Sequence, residues 1–290
     1  TTENPLNFLT NGSWSRDYVE QSINLAARIP NELVSGTGRA VSFHLSTYVT
    51  PDQWSADPGY WQERWEEVEK HLREVGQYGK RAGVRVHIEN IPVPAWGDWA
   101  VNDDSKISGT PYHFRDMSTP WPGLPWRQEI KEIRETGLAW AIDVCHMHTA
   151  IRGVKEASRL INQKGFSRNK VLGCYMIFDS DLKEAHRAIR DFSKVVLGVV
   201  RNGDIVHVNQ ATGKFMRADL HQEDQPYGDS ASLAYEKGNI PRHHINRIIY
   251  KALQIPVKLV VEVNEPRDKM LEAPNTRASL AYILKLASQL

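Results

Sequence analysis

The stretch Leu138-Ala-Trp-Ala-Ile-Asp143-Val-Cys-His146 combines a short apolar run with an acid and, three residues later, a histidine. An apolar run of this length predicts a buried β-strand. Asp143 and His146 then fall at its carboxyl end, where the catalytic groups of parallel α/β barrels gather. A strand that ends in an Asp turn beside a surface histidine is the plainer interpretation of the same residues.

Helix-like and strand-like segments alternate on both sides of this stretch. Periodicity and capping residues predict helices at about 13–28, 58–81, 126–137, 151–163, 180–198 and 278–290, and apolar runs predict strands at 5–10, 39–49, 84–88, 204–209 and 256–263. This alternation predicts a parallel sheet, and the 290 residues fit a single α/β domain, a (β/α)8 TIM barrel over 1–290. Few strands can be found before residue 40, so an atypical or incomplete N-terminal part is expected. Residues 92–125 are rich in Pro, Gly and aromatic residues and predict a long insertion loop at the barrel mouth.

The composition limits the classes of function. Hydrophobic residues make up 41% of the chain and charged residues 24%, as in ordinary globular proteins. The net charge of +1 provides no global basic field for nucleic acid, although a local basic rim is compatible with it. No apolar segment is long enough to cross a bilayer, and nothing indicates an obligate protein partner. Cys145 and Cys174 lack metal-type spacing, which favours a reducing compartment, the cytoplasm.

Several predicted strands end in a side chain that can bind a metal ion. They are His44, Glu89, Asp143 with His146, His207 and Glu262. Glu89 and Glu262 each follow an apolar run, and a carboxylate buried there without a partner would be costly. A shared divalent cation removes that cost, and nitrogen and oxygen ligands suit zinc, manganese or iron. His44 on its own is also typical of a core or rim histidine.

A second group of ligand-capable residues follows the His207 strand as Asp219-Leu-His221. An Asp-x-His pair in a loop is most simply a solvated turn. Its place next to the barrel mouth, where His146 is also expected, makes a further metal site a reasonable hypothesis.

The runs VSFHL, RVHIEN, AIDVCHMHTA, DIVHVNQ, RADLH and LVVEVNE, in this order, resemble the xylose isomerase-like TIM-barrel superfamily and, within it, endonuclease IV. The resemblance implies that Glu89, Asp143, His207 and Glu262 surround one divalent metal. Endonuclease IV adds further metal ligands, which correspond to His44, His146, Asp219 and His221. Its third-strand histidine has no counterpart between Leu6 and Asn11, and its Gly-rich continuation after the first Glu is replaced by Ile-Pro-Val-Pro-Ala-Trp.

Three functions follow as hypotheses. The first is a metal-dependent hydrolase of the endonuclease IV type, in which one to three zinc or manganese ions activate water to cleave abasic-site DNA, with rim residues such as Lys214, Arg217, Arg127 and Arg242 contacting phosphate. The second is a sugar isomerase or epimerase, in which one ion holds a small sugar, Glu89 and Glu262 act as acid and base, and Trp96 lies in an aromatic wall. The third is a non-catalytic barrel that has kept the fold alone.

Overall fold

The computed structural model describes residues 8, 16–34, 38–45, 58–90, 123–165, 177–211, 232–234, 238–263 and 269–290. Several predictions therefore lie outside the described residues. They are the strand at 5–10 (apart from Phe8), nearly all of the 92–125 loop, and the roles of Trp96, Lys214, Arg217, Asp219 and His221.

Five parallel strands form one sheet in the described part of the chain. They are β1 (Ala40–His44), β2 (Arg85–Glu89), β3 (Ala139–Asp143), β4 (Ile205–Val208) and β5 (Lys258–Val261), paired in the order β1-β2-β3-β4-β5. A doubly wound sheet reverses its strand order at a switch point, whereas a barrel adds each strand next to the previous one. The sheet therefore has the order of a barrel segment, and closure into eight strands stays a prediction.

Helices follow the strands and cover the sheet. Those of the described residues are α1 (Arg16–Ala27), a 3-10 turn (Asn31–Leu33), α2 (Pro58–Ala82), α3 (Gln128–Glu135), α4 (Val144–Lys164), α5 (Asp179–Arg190), α6 (Phe192–Val199), α7 (Arg242–Ala252) and α8 (Pro274–Ala287). Between α2 and β2 the packing is unusually close. A Cβ on Gly79 would lie 2.5 Å from Val86 Cγ2 and 2.9 Å from the carbonyl oxygen of Val84, so only glycine fits there.

The sheet is curled, since a hydrogen bond connects its two outer strands at the end where the strands begin. The Lys258 ammonium, at the start of β5, donates a 2.6 Å hydrogen bond to the carbonyl oxygen of Gly38, which precedes β1. β3 and β4 are almost entirely buried, whereas every residue of β5 is only half-buried. The described helices include none that is both long and apolar enough to cross a membrane.

Some predicted element boundaries are wrong. The helix expected at 151–163 begins at Val144, directly after the last residue of β3. The helix expected at 180–198 is broken at Asp191 into α5 and α6. α7 falls in a part of the chain where no helix was expected.

Candidate metal centre

Four ligand-capable side chains converge at the carboxyl ends of β2, β3, β4 and β5. Glu89, Asp143, His207 and Glu262 each offer one nitrogen or oxygen atom, and these atoms lie within 4.8 Å of one another. The sheet register brings them together, because it pairs Asp143 with His207 directly across β3 and β4. We refer to these four residues as the inner cluster.

His207 is at the centre of the contacts in the inner cluster. Its Nδ1 lies 2.5 Å from Oε2 of Glu262, 3.4 Å from Oε1 of Glu89 and 3.9 Å from Oδ2 of Asp143. Despite these distances, His207 Nδ1 and Glu89 Oε1 are buried and make no hydrogen bond of regular geometry with the described residues. Donor atoms that crowd together without pairing are what a bound cation would satisfy.

A second group shares Glu89 with the inner cluster. His44 Nε2 lies 3.5 Å from Glu89 Oε1, and His146 Nδ1 lies 3.7 Å from the same oxygen. These three residues also offer ligand atoms within 4.8 Å of one another. His146 Nδ1 is 3.0 Å from the carbonyl oxygen of Asn90, so this nitrogen carries the proton and Nε2 carries the lone pair in a neutral ring.

The electrostatics of Glu89 and His207 are strongly coupled. Burial alone raises the pKa of Glu89, but the adjacent imidazoles of His207 and His44 outweigh it and lower that pKa to about 2. Burial lowers the pKa of His207, whereas Glu262 and Glu89 together raise it to about 10. The two imidazoles thus favour the ionised form of Glu89, and the two carboxylates favour the protonated form of His207.

Asp143 is the most deeply buried acid of the inner cluster, with no exposed surface. Burial raises the pKa of its carboxyl group, and His146 acts in the opposite direction. Because a buried acid keeps its charge only with help, a cation beside the inner cluster would lower that pKa again.

The six predicted ligands that lie in described segments are thus brought together: Glu89, Asp143, His207, Glu262, His44 and His146. One detail differs from expectation. Glu262 was expected to be buried because it follows an apolar strand, yet its side chain is 46% exposed, since it lies just beyond the end of β5. The other three members of the inner cluster are buried, so Glu262 is its most exposed member.

Two predicted phosphate contacts are engaged elsewhere. Arg127 is only 8% exposed and forms ion pairs with Asp181 and Glu129, at 2.9 and 2.5 Å, so it is not a free rim cation. Arg242 opens α7, where its guanidinium donates to the carbonyl oxygen of Ala234 and stacks over the Tyr282 ring.

Two buried asparagines beside the inner cluster were not among the predicted site residues. Asn90 and Asn209 are 1% and 0% exposed and bond Asp143 from both neighbouring strands. A signal for them exists in the sequence, because Asn90 directly follows Glu89 and Asn209 follows His207 by two residues. Residues at i and i+2 of a strand share a face, so the sequence places Asn209 on the side of His207. The rule does not cover Asn90, which is adjacent to Glu89 and lies just beyond the end of β2.

No protein-family model and no curated protein matches this chain. Solved structures that are similar to it in fold include these two. A D-tagatose 3-epimerase-like protein aligns over 100% of this chain and 76% of its own, with 15% identity and a TM-score of 0.49. A candidate xylose isomerase from Rhodospirillum rubrum aligns over 98% of this chain and 72% of its own, with 12% identity and a TM-score of 0.46. Both scores lie below 0.5, so the functional proposal rests on the site itself.

Proposed function

We propose that this chain is a divalent-metal-dependent enzyme that isomerises or epimerises a small sugar. The observation that supports it is the inner cluster, in which ligand atoms from four successive strands come within 4.8 Å of one another. Carboxylate oxygen and imidazole nitrogen are ligands that suit zinc or manganese. Three carboxylates and one imidazole would hold a single ion without further ligands from the protein.

The members of the inner cluster would take different roles. Asp143 and His207 are buried and would hold the cation. A divalent cation bound there would supply electrostatic stabilisation for negative charge that develops on sugar oxygens. Glu262 is half-exposed, so it can reach a sugar hydroxyl or the carbon-bound proton next to a carbonyl.

Glu89 and Glu262 are the proposed acid–base pair. They contact His207 from β2 and β5, and both contacts are to the same Nδ1 atom. A sugar lying over His207 would therefore meet one carboxylate from each side. Proton removal by one and return by the other would move a hydrogen between neighbouring carbons or invert one centre.

The test is a Mn2+-loaded preparation assayed against a panel of aldoses and ketoses, with product identified by chromatography. Interconversion of at least one ketose or aldose, abolished by chelator and restored by Mn2+, is the expected result. A protein that binds Mn2+ tightly but interconverts none of them contradicts the proposed reaction. An intact fold that binds no divalent ion supports the non-catalytic barrel instead.

A second candidate function, phosphodiester hydrolysis of the endonuclease IV type, is favoured by the group His44, Glu89 and His146. That group offers a place for another ion sharing Glu89 with the inner cluster, and two ions together can hold the entering and leaving oxygens at phosphorus. In this hypothesis Lys214 and Arg217 contact phosphate, and Asp219 with His221 bind a further ion.

Metal content and one substitution separate the two functions. The isomerase requires one ion per chain by elemental analysis, whereas the nuclease requires two or three and cleaves a duplex containing an abasic site. His221→Ala is expected to be severe for cleavage and mild for isomerisation, because only the nuclease uses His221 as a ligand. Two or more ions with cleavage of the abasic duplex would replace the first proposal by the second.

A further inference from the structure

Asn209 connects the end of β4 to both the Asp143 side chain and the start of α4. Its Nδ2 donates a 2.8 Å hydrogen bond to Oδ2 of Asp143, and its Oδ1 accepts one of 3.1 Å from the backbone amide of Cys145. Asn209 has no exposed surface, so water cannot replace either bond.

The Asp143 carboxylate is held at both oxygens. While Asn209 donates to Oδ2, the backbone amide of His146 donates to Oδ1 at 2.6 Å. These two donors approach from different elements, β4 and α4, so the carboxyl group cannot rotate without losing one of them. The oxygen that Asn209 holds, Oδ2, also lies 3.9 Å from Nδ1 of His207.

The backbone of Asp143 is fixed in the same manner by Asn90. The Asn90 side chain accepts from the Asp143 amide at 2.9 Å and donates to the Asp143 carbonyl oxygen at 3.0 Å. This reciprocal pair prolongs the contact between β2 and β3 beyond the last paired residues. Backbone and side chain of one acid are thus held by two separate amides.

We propose that Asn209 is a positioning residue that sets the affinity of the inner cluster for its divalent cation by fixing the orientation of the Asp143 carboxylate. The inference rests on the metal-binding part of the proposed function and not on the reaction. Partners that orient a metal ligand commonly change metal affinity by about 10- to 100-fold when they are removed. Without Asn209, Asp143 would keep one donor and could turn its Oδ2 away from His207.

Gln210 provides a matched control in the next position of the chain. It is 1% exposed, and its amide bonds the backbone of Ile240 and Ala211 in the same way that Asn209 bonds Cys145. Replacing Gln210 therefore costs buried hydrogen bonds but removes none from Asp143. A merely structural role for Asn209 predicts similar behaviour of the two residues.

The experiment measures Mn2+ affinity by isothermal titration calorimetry on the folded full chain. Asn209→Ala is expected to weaken Mn2+ binding about 10- to 100-fold, whereas Gln210→Ala is expected to stay within about twofold of wild type. Asn209→Leu and Gln210→Leu, which fill the space of the amide, serve as a second pair where alanine prevents folding. The proposal is overturned if the Asn209 and Gln210 variants bind Mn2+ with equal affinity. It is also overturned if both Asn209 variants fail to fold while the Gln210 variants fold.

Failure of this inference and failure of the proposed reaction have different outcomes. Wild-type protein that binds Mn2+ without converting any sugar overturns the reaction, and a weakened Asn209→Ala still supports the inference. Wild-type protein that converts a sugar, together with an Asn209→Ala that binds Mn2+ normally, overturns the inference and leaves the reaction standing. Wild-type protein that does not bind Mn2+ overturns both.

Discussion

At the scale of single residues, Glu262 is the one inner-cluster acid with a large exposed fraction. We expect Glu262→Gln to abolish sugar conversion and to lower the free energy of unfolding, because it removes the carboxylate that lies 2.5 Å from His207 Nδ1. Turnover assays and urea unfolding measure the two effects. Glu272→Gln, which removes an exposed acid outside the cluster, should retain wild-type turnover. Full activity in Glu262→Gln would remove this residue from the acid–base pair.

His148 supplies a residue-scale prediction about pH. Burial lowers its pKa to about 3, with nearby Arg152 and His244 acting in the same direction. Between pH 6.5 and about 3 the unfolded chain therefore binds a proton that the folded chain does not, so the free energy of unfolding falls with falling pH by up to about 1.4 kcal/mol per unit. Above pH 6.5 both forms are neutral and the contribution is complete.

His148→Gln should reduce this pH slope by one proton, as measured by urea unfolding at a series of pH values. The same variant at pH 8 reports the cost of substitution without titration and serves as the control. Other buried histidines, His87 and His244, also have a lowered pKa, so some slope persists in the variant. An unchanged slope in His148→Gln would show that the pKa of His148 is not lowered in the folded protein.

At the scale of the elements, two glycine-to-alanine substitutions should have opposite effects on stability. One lies at the close contact between α2 and β2, and the other lies in α6. Gly79→Ala should destabilise the protein by about 1–3 kcal/mol, because its Cβ would lie 2.5 Å from Val86 Cγ2. Gly198→Ala, in α6, meets nothing within 4 Å and should stabilise by about 0.4–1 kcal/mol through helix propensity. Chemical unfolding compares them, and equal effects would contradict the close approach of the helix.

The ends of a helix or strand could be predicted from the sequence only where the pattern of apolar and polar residues changes at that end. β2, β3 and β4 were recognisable as apolar runs, and their ligands could be grouped because parallel strands end at one edge. The start of α4 could not, since Val144 and Cys145 are buried like the strand before them. α7 was missed because Arg242-His243-His244 opens it with polar residues, although His244 is buried against Ser193.

At the scale of the whole molecule, the candidate ligands connect all five described strands, because they lie at the ends of β1 through β5 and in α4. A cation held by them should stabilise the entire fold. At 100 times its Kd it would add about 2.7 kcal/mol, a rise in Tm on the order of 5 °C for a chain of this size. Thermal unfolding with and without Mn2+ measures this. Glu272→Gln should show the full rise and Glu262→Gln a smaller one, and equal rises in the two would place the ion elsewhere.

The arrangement of the whole molecule was only partly predictable. Barrel order follows from alternating strands and helices, and the sheet confirms parallel pairing. The joining of the outer strands through Lys258 and Gly38 could not be foreseen, because it unites residues far apart in the chain through one flexible side chain. Exposure of Glu262 likewise depends on where β5 ends, which the apolar run does not specify.

The segment from His207 to Gln210 has a consequence for how the protein can change. His207 meets the carboxylates, Val208 enters the core, Asn209 bonds Asp143 and Cys145, and Gln210 bonds Ile240. Since neighbouring side chains of a strand lie on opposite faces, inserting or deleting one residue here would exchange all of these attachments simultaneously. A change in the length of this tetrapeptide would therefore disturb the inner cluster, the support of Asp143 and the contact with Ile240 together.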